Sequence, residues 1–490
     1  MALPYQCIQA CNRSANGTPD WILFGARGSK LVAQSSSGAT SVWPAEENYK
    51  IVKEPDEPQE PPGKKIKLSH TVDQPSNFST IVISSNKKYL VAVTAEDKCI
   101  RVYQIDSDCH LHQLSQRCMA RRPSAIALAP DDSTILSADK FGDVYAVPLL
   151  QPPEDGQNRT PGSEQSETTA QKQFVPSASV FTVHSGRNRK VLEEQIKQAS
   201  KGQLKTKEPL KFKHDLLLGH VSMLTDIAYT TVDTGGEEET PRSYILTADR
   251  DEHVRISRGP PQAHIIEGFC HGHEEFVSRL CLTKSGLLVS GGGDAHLLVW
   301  DWLNYRLLEK LGIRDAVLGF FKTQAELASM VSGNEDGFKI AVSGIWSVPQ
   351  HHPENEILVA CEGVPALFNF RLGGKQKPST IGEVIPLSGN ALDVTFICPS
   401  KETRTAVVSV DNLHKPGSTT ETREDLGPYR LQYFSYQDGK WGADPTMDAT
   451  LEWFSRRGAD DSARNDDAKK AIRDILYGVQ NLRKQAGAED

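Results

Sequence analysis

The residues best placed for chemistry are gathered at Cys270–His273, a C-H-G-H string in which one thiol and two imidazoles could hold a metal. A structural zinc site takes four ligands, and no second pair follows at a matching spacing. Cys7 and Cys11 are close in the chain, again without a second pair, and most of the nine cysteines are scattered singly. Reduced thiols in a cytosolic or nuclear protein are the expectation. The run Gly291–Asp294 is glycine-rich, but no G-x-G-x-x-G follows a strand and no Walker loop occurs. Neither G-x-S-x-G nor H-E-x-x-H is found. His351–His352 lies in a proline-flanked loop and Glu237–Glu239 in a polar one, both read as solvated. The expectation is therefore no catalytic residue, no cofactor and no metal, on a chain that works as a binding platform.

The elements that carry these residues are short and apolar. STIVISS, YLVAVTA, CIRVYQI, SAIALA, DVYAVPLL, SYILTAD, HVRISR, LLVSGGG and HLLVWDW are runs of four to eight residues rich in Val, Ile and Leu. That length and composition predict strands. They also repeat. VTAEDKCIRVY, LSADKFGDVYA, LTADRDEHVRI and SGGGDAHLLVW each read as a strand end, a tight turn and a second strand. A period in the low forties matches a four-stranded propeller blade.

The best copy, GHEEFVSRLCLTKSGLLVSGGGDAHLLVWD at 272–301, resembles the WD40 repeat, and LLLGHVSMLTDIAYT carries the same Gly-His one blade earlier. The resemblance implies an all-β, WD40-type β-propeller with seven blades, at about 3–45, 76–106, 111–150, 211–260, 264–303, 304–372 and 384–441. Closure is expected to join the first segment to the last blade, since a closed ring leaves few edges. The resemblance also implies buried hydrogen-bonded networks that pair His220 with Asp251 and His273 with Asp294, with Trp300 in the second set. These are architectural roles.

Composition limits the partners. The 63 acidic residues exceed the 55 basic ones for a net charge of -8, which argues against nucleic-acid binding by bulk charge alone. No run of 18 apolar residues is present, so no membrane partner is expected, and the first residues do not read as a secretory leader. The propeller is expected over 1–455. Residues 53–70 are expected to form a flexible loop, and 151–210 a disordered insertion. Residues 151–173 contain no Val, Ile, Leu, Met, Phe, Trp or Tyr, whereas 184–213 hold nine Lys or Arg against three Glu. A charged linker and a helix over 466–485 follow, with Ala471, Ile472, Ile475, Leu476, Val479 and Leu482 on one face.

HVSMLTD, ADRDEHVRIS and GHEEFVSRL together resemble the family of non-catalytic WD-repeat subunits of tRNA (guanine-N(7)-)-methyltransferase. ILSADKFGDVYAVPL fits the same family, and the likeness covers roughly 124–302. It implies a heterodimer in which a catalytic subunit binds the methyl donor and methylates the variable-loop guanine of tRNA, while this chain stabilises that partner. Arg250 is expected to project from the rim, and Lys140 holds the equivalent position one blade earlier. Arg255 lies on the next strand. With Glu252 and His253 these residues form the expected partner-binding set. Phe141 stands where the turn Asp would be, so that blade's network is expected to be degenerate. The basic half of the insertion, 184–213, could reach tRNA. PPGKKIKL at 61–68 resembles a nuclear import signal, giving a nuclear expectation with some cytoplasmic presence. A generic WD40 adaptor of the ubiquitin-ligase or chromatin type explains the blades equally well, but not the ADRDEH and HVSMLTD strings.

Overall fold

The computed structural model describes residues 3–15, 18–44, 76–151, 210, 212–233, 241–349 (apart from 332, 334 and 336), 355–373, 378–398, 404–424, 429–437, 439–456 and 466–484. Four consecutive strands pair antiparallel into a sheet, and the chain does this seven times. The first strands of neighbouring blades touch all round the ring, so they line its axis. The blades span residues 7–43, 78–118, 123–219, 224–270, 277–312, 342–386 and 391–443. The number matches the sequence reading; the phase differs. The strands Leu111–Cys118, Asp215–Gly219, Ile266–Cys270 and Arg306–Gly312 each complete the preceding blade. The long insertion therefore lies inside the third blade, between its strands Asp143–Pro148 and Asp215–Gly219. The readings for 53–70, and for 151–210 apart from its two end residues, fall outside the described residues.

Polar side chains bolt the inner strands together where each blade edge would otherwise leave backbone groups unpaired. Asp226 Oδ2 accepts from Leu280 N at 2.7 Å, and Thr225 Oγ1 donates to Val277 O at 2.6 Å. The ring closes the same way: Asp393 Oδ2 accepts from Ile8 N at 2.8 Å and Thr395 Oγ1 from Ala10 N at 2.9 Å. Among the described residues, no strand passes between the first and last sheets. Two short helices, Pro445–Thr450 and Glu452–Arg456, add to the seam. Tyr5 stacks on Phe454 at 4.7 Å and its hydroxyl donates to Phe454 O at 2.7 Å.

Three features depart from the sequence expectations. Helices Ile313–Thr323 and Ala325–Val331 bury Val317, Phe321 and Leu327 in the core shared by blades 5 and 6. Cys99 and Cys118 are directly opposite across adjacent strands and form a disulfide, whereas the other seven cysteines are free. The C-terminal helix spans only Asp466–Leu476. The amides of Gly478, Val479 and Gln480, which would continue it, donate instead to the Glu362 carboxylate. A helix loses its propagation bonds when another acceptor takes them.

Candidate docking face

In blade 5, Gly272 and His273 precede the inner strand Val277–Leu282 and Asp294 follows the strand Leu288–Gly292, so the sheet's own register brings His and Asp together. His273 Nδ1 lies 2.6 Å from Asp294 Oδ2, and its Nε2 lies 2.6 Å from Ser290 Oγ. Trp300 Nε1 donates to the same Ser290 Oγ at 2.8 Å. The chain of bonds is self-consistent: the imidazole donates to the carboxylate, Ser290 donates to the imidazole, and the indole donates to Ser290. The network is buried, with His273 at 7% exposure and Trp300 at 0%. Cys270 is buried too, and burial pushes its thiol up to about 12. No group of three or more metal-ligating residues occurs among the described residues.

Blade 4 builds the same network differently. The partner of His220 Nδ1 is Asp249 Oδ2, at 3.3 Å; Thr247 Oγ1 lies 2.9 Å from Nε2. Asp251, the expected partner, is half exposed. Asp249 ends its strand and caps the turn, accepting from Asp251 N at 2.9 Å and His253 N at 3.0 Å. Burial alone would raise its pKa, but the bond from His220 and the other donors outweigh this and hold it below the usual carboxylate range. Blade 3 repeats the device. Asp139 Oδ1 accepts from Phe141 N at 2.7 Å and Asp143 N at 3.2 Å, so this turn keeps its aspartate two positions before Phe141. The signal was in the sequence: Ala-Asp at 138–139 and at 248–249 ends both strands.

Arg255 is not a rim residue. It is 7% exposed, with Nε donating to Ser257 Oγ at 2.9 Å and Nη1 to Gly219 O at 2.9 Å. Its neighbour explains this. Ile245 pairs with Ser257 as Leu288 pairs with Trp300, so Ser257 stands where blade 5 has its tryptophan. In blade 5 the indole packs over Gly272; in blade 4 the guanidinium reaches back to Gly219, the equivalent glycine. Arg255 fills the tryptophan's place.

The other expected docking residues lie on one face but in different states. Arg250 Nε donates to Leu482 O at 3.0 Å, and Glu252 pairs with Lys484 at 3.1 Å, both toward the C-terminal segment. His253 is half-buried, 3.4 Å from Asp249 Oδ1 and edge-on to Phe269. Lys140 has no carboxylate partner among the described residues. It stands with Arg122 and Arg279 at a cavity of about 210 Å³ in the mouth of the ring, where Ser79, Ser124 and Thr225 also line the wall. Partial burial, and then the Arg122 charge, lower its pKa.

Sequence reasoning missed the apolar part of this face. Phe141 is 64% exposed and Val221 fully so. Their turns abut: Gly142, at φ +97, comes so close to the carbonyls of His220 and Ser222 that a Cβ there would sit 2.3 Å from the first. Only glycine suits both the backbone angle and the approach. The Arg121 guanidinium lies 4.2 Å over the Phe141 ring and bonds Asp143 at 2.9 Å. Two large apolar side chains thus face solvent where the strings ADKFG and HVSMLTD meet, Phe141 next in the chain to Lys140.

A family profile described as the tRNA methyltransferase TRM82 WD40 domain matches residues 23–434. The chain is 56% identical to the tRNA (guanine-N(7)-)-methyltransferase non-catalytic subunit TRM82 of Phaeosphaeria nodorum, over the full length of both. It is 43% identical to the protein of the same description from Coccidioides immitis, covering 93% of this chain and 88% of that one. Among solved structures, U3-55K aligns with a TM-score of 0.50 at 15% identity, covering 87% of this chain and 94% of the other, a likeness of fold alone.

Proposed function

Since this chain belongs to the TRM82 family, the non-catalytic WD-repeat subunit of tRNA (guanine-N(7)-)-methyltransferase, we propose that it docks the catalytic subunit on the rim where blades 3 and 4 meet. Lys140 carries the charge complementarity, and Phe141 and Val221 the apolar contact. The observation that carries this reading is the pair of exposed apolar side chains on two abutting turns, one of which also carries Lys140; Lys140, and Arg122 at the same cavity, have no carboxylate partner among the described residues. An acidic, partly apolar element of the catalytic subunit satisfies both. Exposed apolar patches rimmed by charge mark interaction sites, and charge complementarity speeds encounter and fixes register. The methyl donor and the chemistry then belong to the partner. The named relatives point to this subunit role and not to a ubiquitin-ligase or chromatin adaptor.

Reconstitution tests it. The chain alone yields no N7-methylguanine in tRNA, the catalytic subunit supplemented with it does, and Lys140→Glu removes the stimulation while the propeller melts normally. Stimulation unchanged by Lys140→Glu, or methylation by the isolated chain, overturns the reading. Two further parts of the proposal rest on sequence. The basic stretch 184–213, largely outside the described residues, contacts tRNA phosphates, so its removal flattens the salt dependence of tRNA binding by the complex. PPGKKIKL directs the chain to the nucleus, and a fusion lacking 61–68 that still accumulates there refutes this.

A further inference from the structure

The segment Tyr477–Lys484 runs across the face that carries Lys140, from blade 7 to blade 4. Tyr477 is buried between Asn390 Nδ2, at 3.0 Å, and the Asp411 carboxylate. Glu362 of blade 6 takes the amides of Val479 and Gln480 at 3.2 and 2.6 Å, together with that of Gly478. Arg483 donates to Ile340 O at 2.8 Å, bonds Glu275 Oε1 at 2.6 Å and lies over the Phe276 ring. Lys484 Nζ ends the strap between Asp251 Oδ1 at 3.2 Å and Glu252 Oε1 at 3.1 Å. Arg250, held to Leu482 O, secures it from below.

The charges on this face are divided. Blade 3 presents Arg122 and Lys140, joined at the cavity by Arg279 of blade 5, while its Arg121 is paired with Asp143. Blades 4 to 6 present Asp251, Glu252, Glu275 and Glu362, and the strap reaches all four of these carboxylates with Arg483, Lys484 and three backbone amides. We propose that the C-terminal strap is an electrostatic cover: it neutralises the acidic half of the face, so that an acidic partner element can settle on Lys140 without repulsion from Asp251 and Glu252. This rests on the docking reading above. It also assigns Arg250 and Glu252 to holding the strap and not to the partner-binding set expected from the sequence. The anchoring at Tyr477, Glu362 and Arg483 is too extensive for a segment that simply yields its place to an incoming ligand.

Lys484 is half exposed, so its substitution leaves the blades intact. With Asp251 and Glu252 it sums to one negative charge. Lys484→Glu makes that three, and adding Asp251→Asn and Glu252→Gln returns it to one. The experiment measures the affinity of each full-length variant for the purified catalytic subunit at low and high salt, with unsubstituted chain and Lys140→Glu alongside. Lys484→Glu is expected to weaken binding at low salt, on the order of fivefold for exposed charges. The loss shrinks at high salt, and the triple variant regains wild-type affinity. The inference is overturned if Lys484→Glu binds as well as the unsubstituted chain, if it binds more tightly, or if the triple variant stays weak, which would mean direct contact between Lys484 and the partner. If Lys140→Glu costs nothing, the docking reading itself fails and the inference falls with it.

Discussion

Replacing Arg255 by leucine is expected to destabilise the propeller, not to strip a contact from its surface. The side chain is buried and makes two charge-assisted bonds, to Ser257 Oγ and to Gly219 O. Hydrogen bonds to charged groups are worth about 1.5–3 kcal/mol each. Leucine returns part of this through apolar burial, about 1.5–3 kcal/mol for a fully buried side chain. The net expectation is a loss of roughly 2–3 kcal/mol, within the range of broken buried networks. Blade 5 supplies the repair. There, Leu298 and Trp300 stand at the positions of Arg255 and Ser257, and the indole donates to Ser290, the counterpart of Thr247. The double variant Arg255→Leu with Ser257→Trp should therefore recover most of the loss. Urea titrations followed by tryptophan fluorescence and circular dichroism read all three stabilities. An Arg255→Leu chain as stable as the parent refutes the assignment of Arg255 to the network. A double variant weaker than the single one refutes the equivalence with Trp300.

Asp393, at the ring closure, supplies a pH test. Burial is the main cause that pushes its pKa up to about 6, against bonds from Ile8 N and Val394 N that lower it. A carboxyl whose folded pKa is raised favours the folded state below its unfolded value near 3.8, and that contribution is lost as pH rises through 6. The span is worth at most about 3 kcal/mol. Asp393→Asn should remove this pH-dependent term, so the stability difference between variant and parent shifts in the parent's favour as pH falls from 7 to 5. A difference that stays constant contradicts it. Deleting 152–207 should leave the melting transition of the propeller in place, because the cut joins Gln151 to Glu208, seven residues ahead of the outer strand Asp215–Gly219, and removes none of the described core residues. Loss of a cooperative melt on deletion would show otherwise.

Blades 4 and 5 were legible because Gly-His, the turn aspartate and Trp-Asp recur there at fixed spacing. Blades 1, 6 and 7 lack those marks, and their strands carry only composition. The phase is hidden because the repeat is most visible from its Gly-His, which follows the outermost strand, so the sequence alone groups that strand with the next blade. Asp251 aligns with Asp294 in the repeat, and the register agrees, since Asp249 is level with Gly292; His220 nonetheless takes the aspartate two residues earlier, which no repeat alignment shows. Arg255 read as a rim charge because a strand's alternation gives its direction but not what fills the space left by Ser257. The strap depends on contacts more than a hundred residues apart in sequence, such as Glu362 with Gln480, and no local pattern encodes those.

Amide hydrogen exchange of the chain, free and bound to the catalytic subunit, tests the docking rim most directly. Protection gained at Lys140–Gly142 and at Gly219–Met223, with the strap protected in both states, is the result expected here. Protection confined to the opposite face of the ring, or a strap that loses protection when the partner binds, would contradict it.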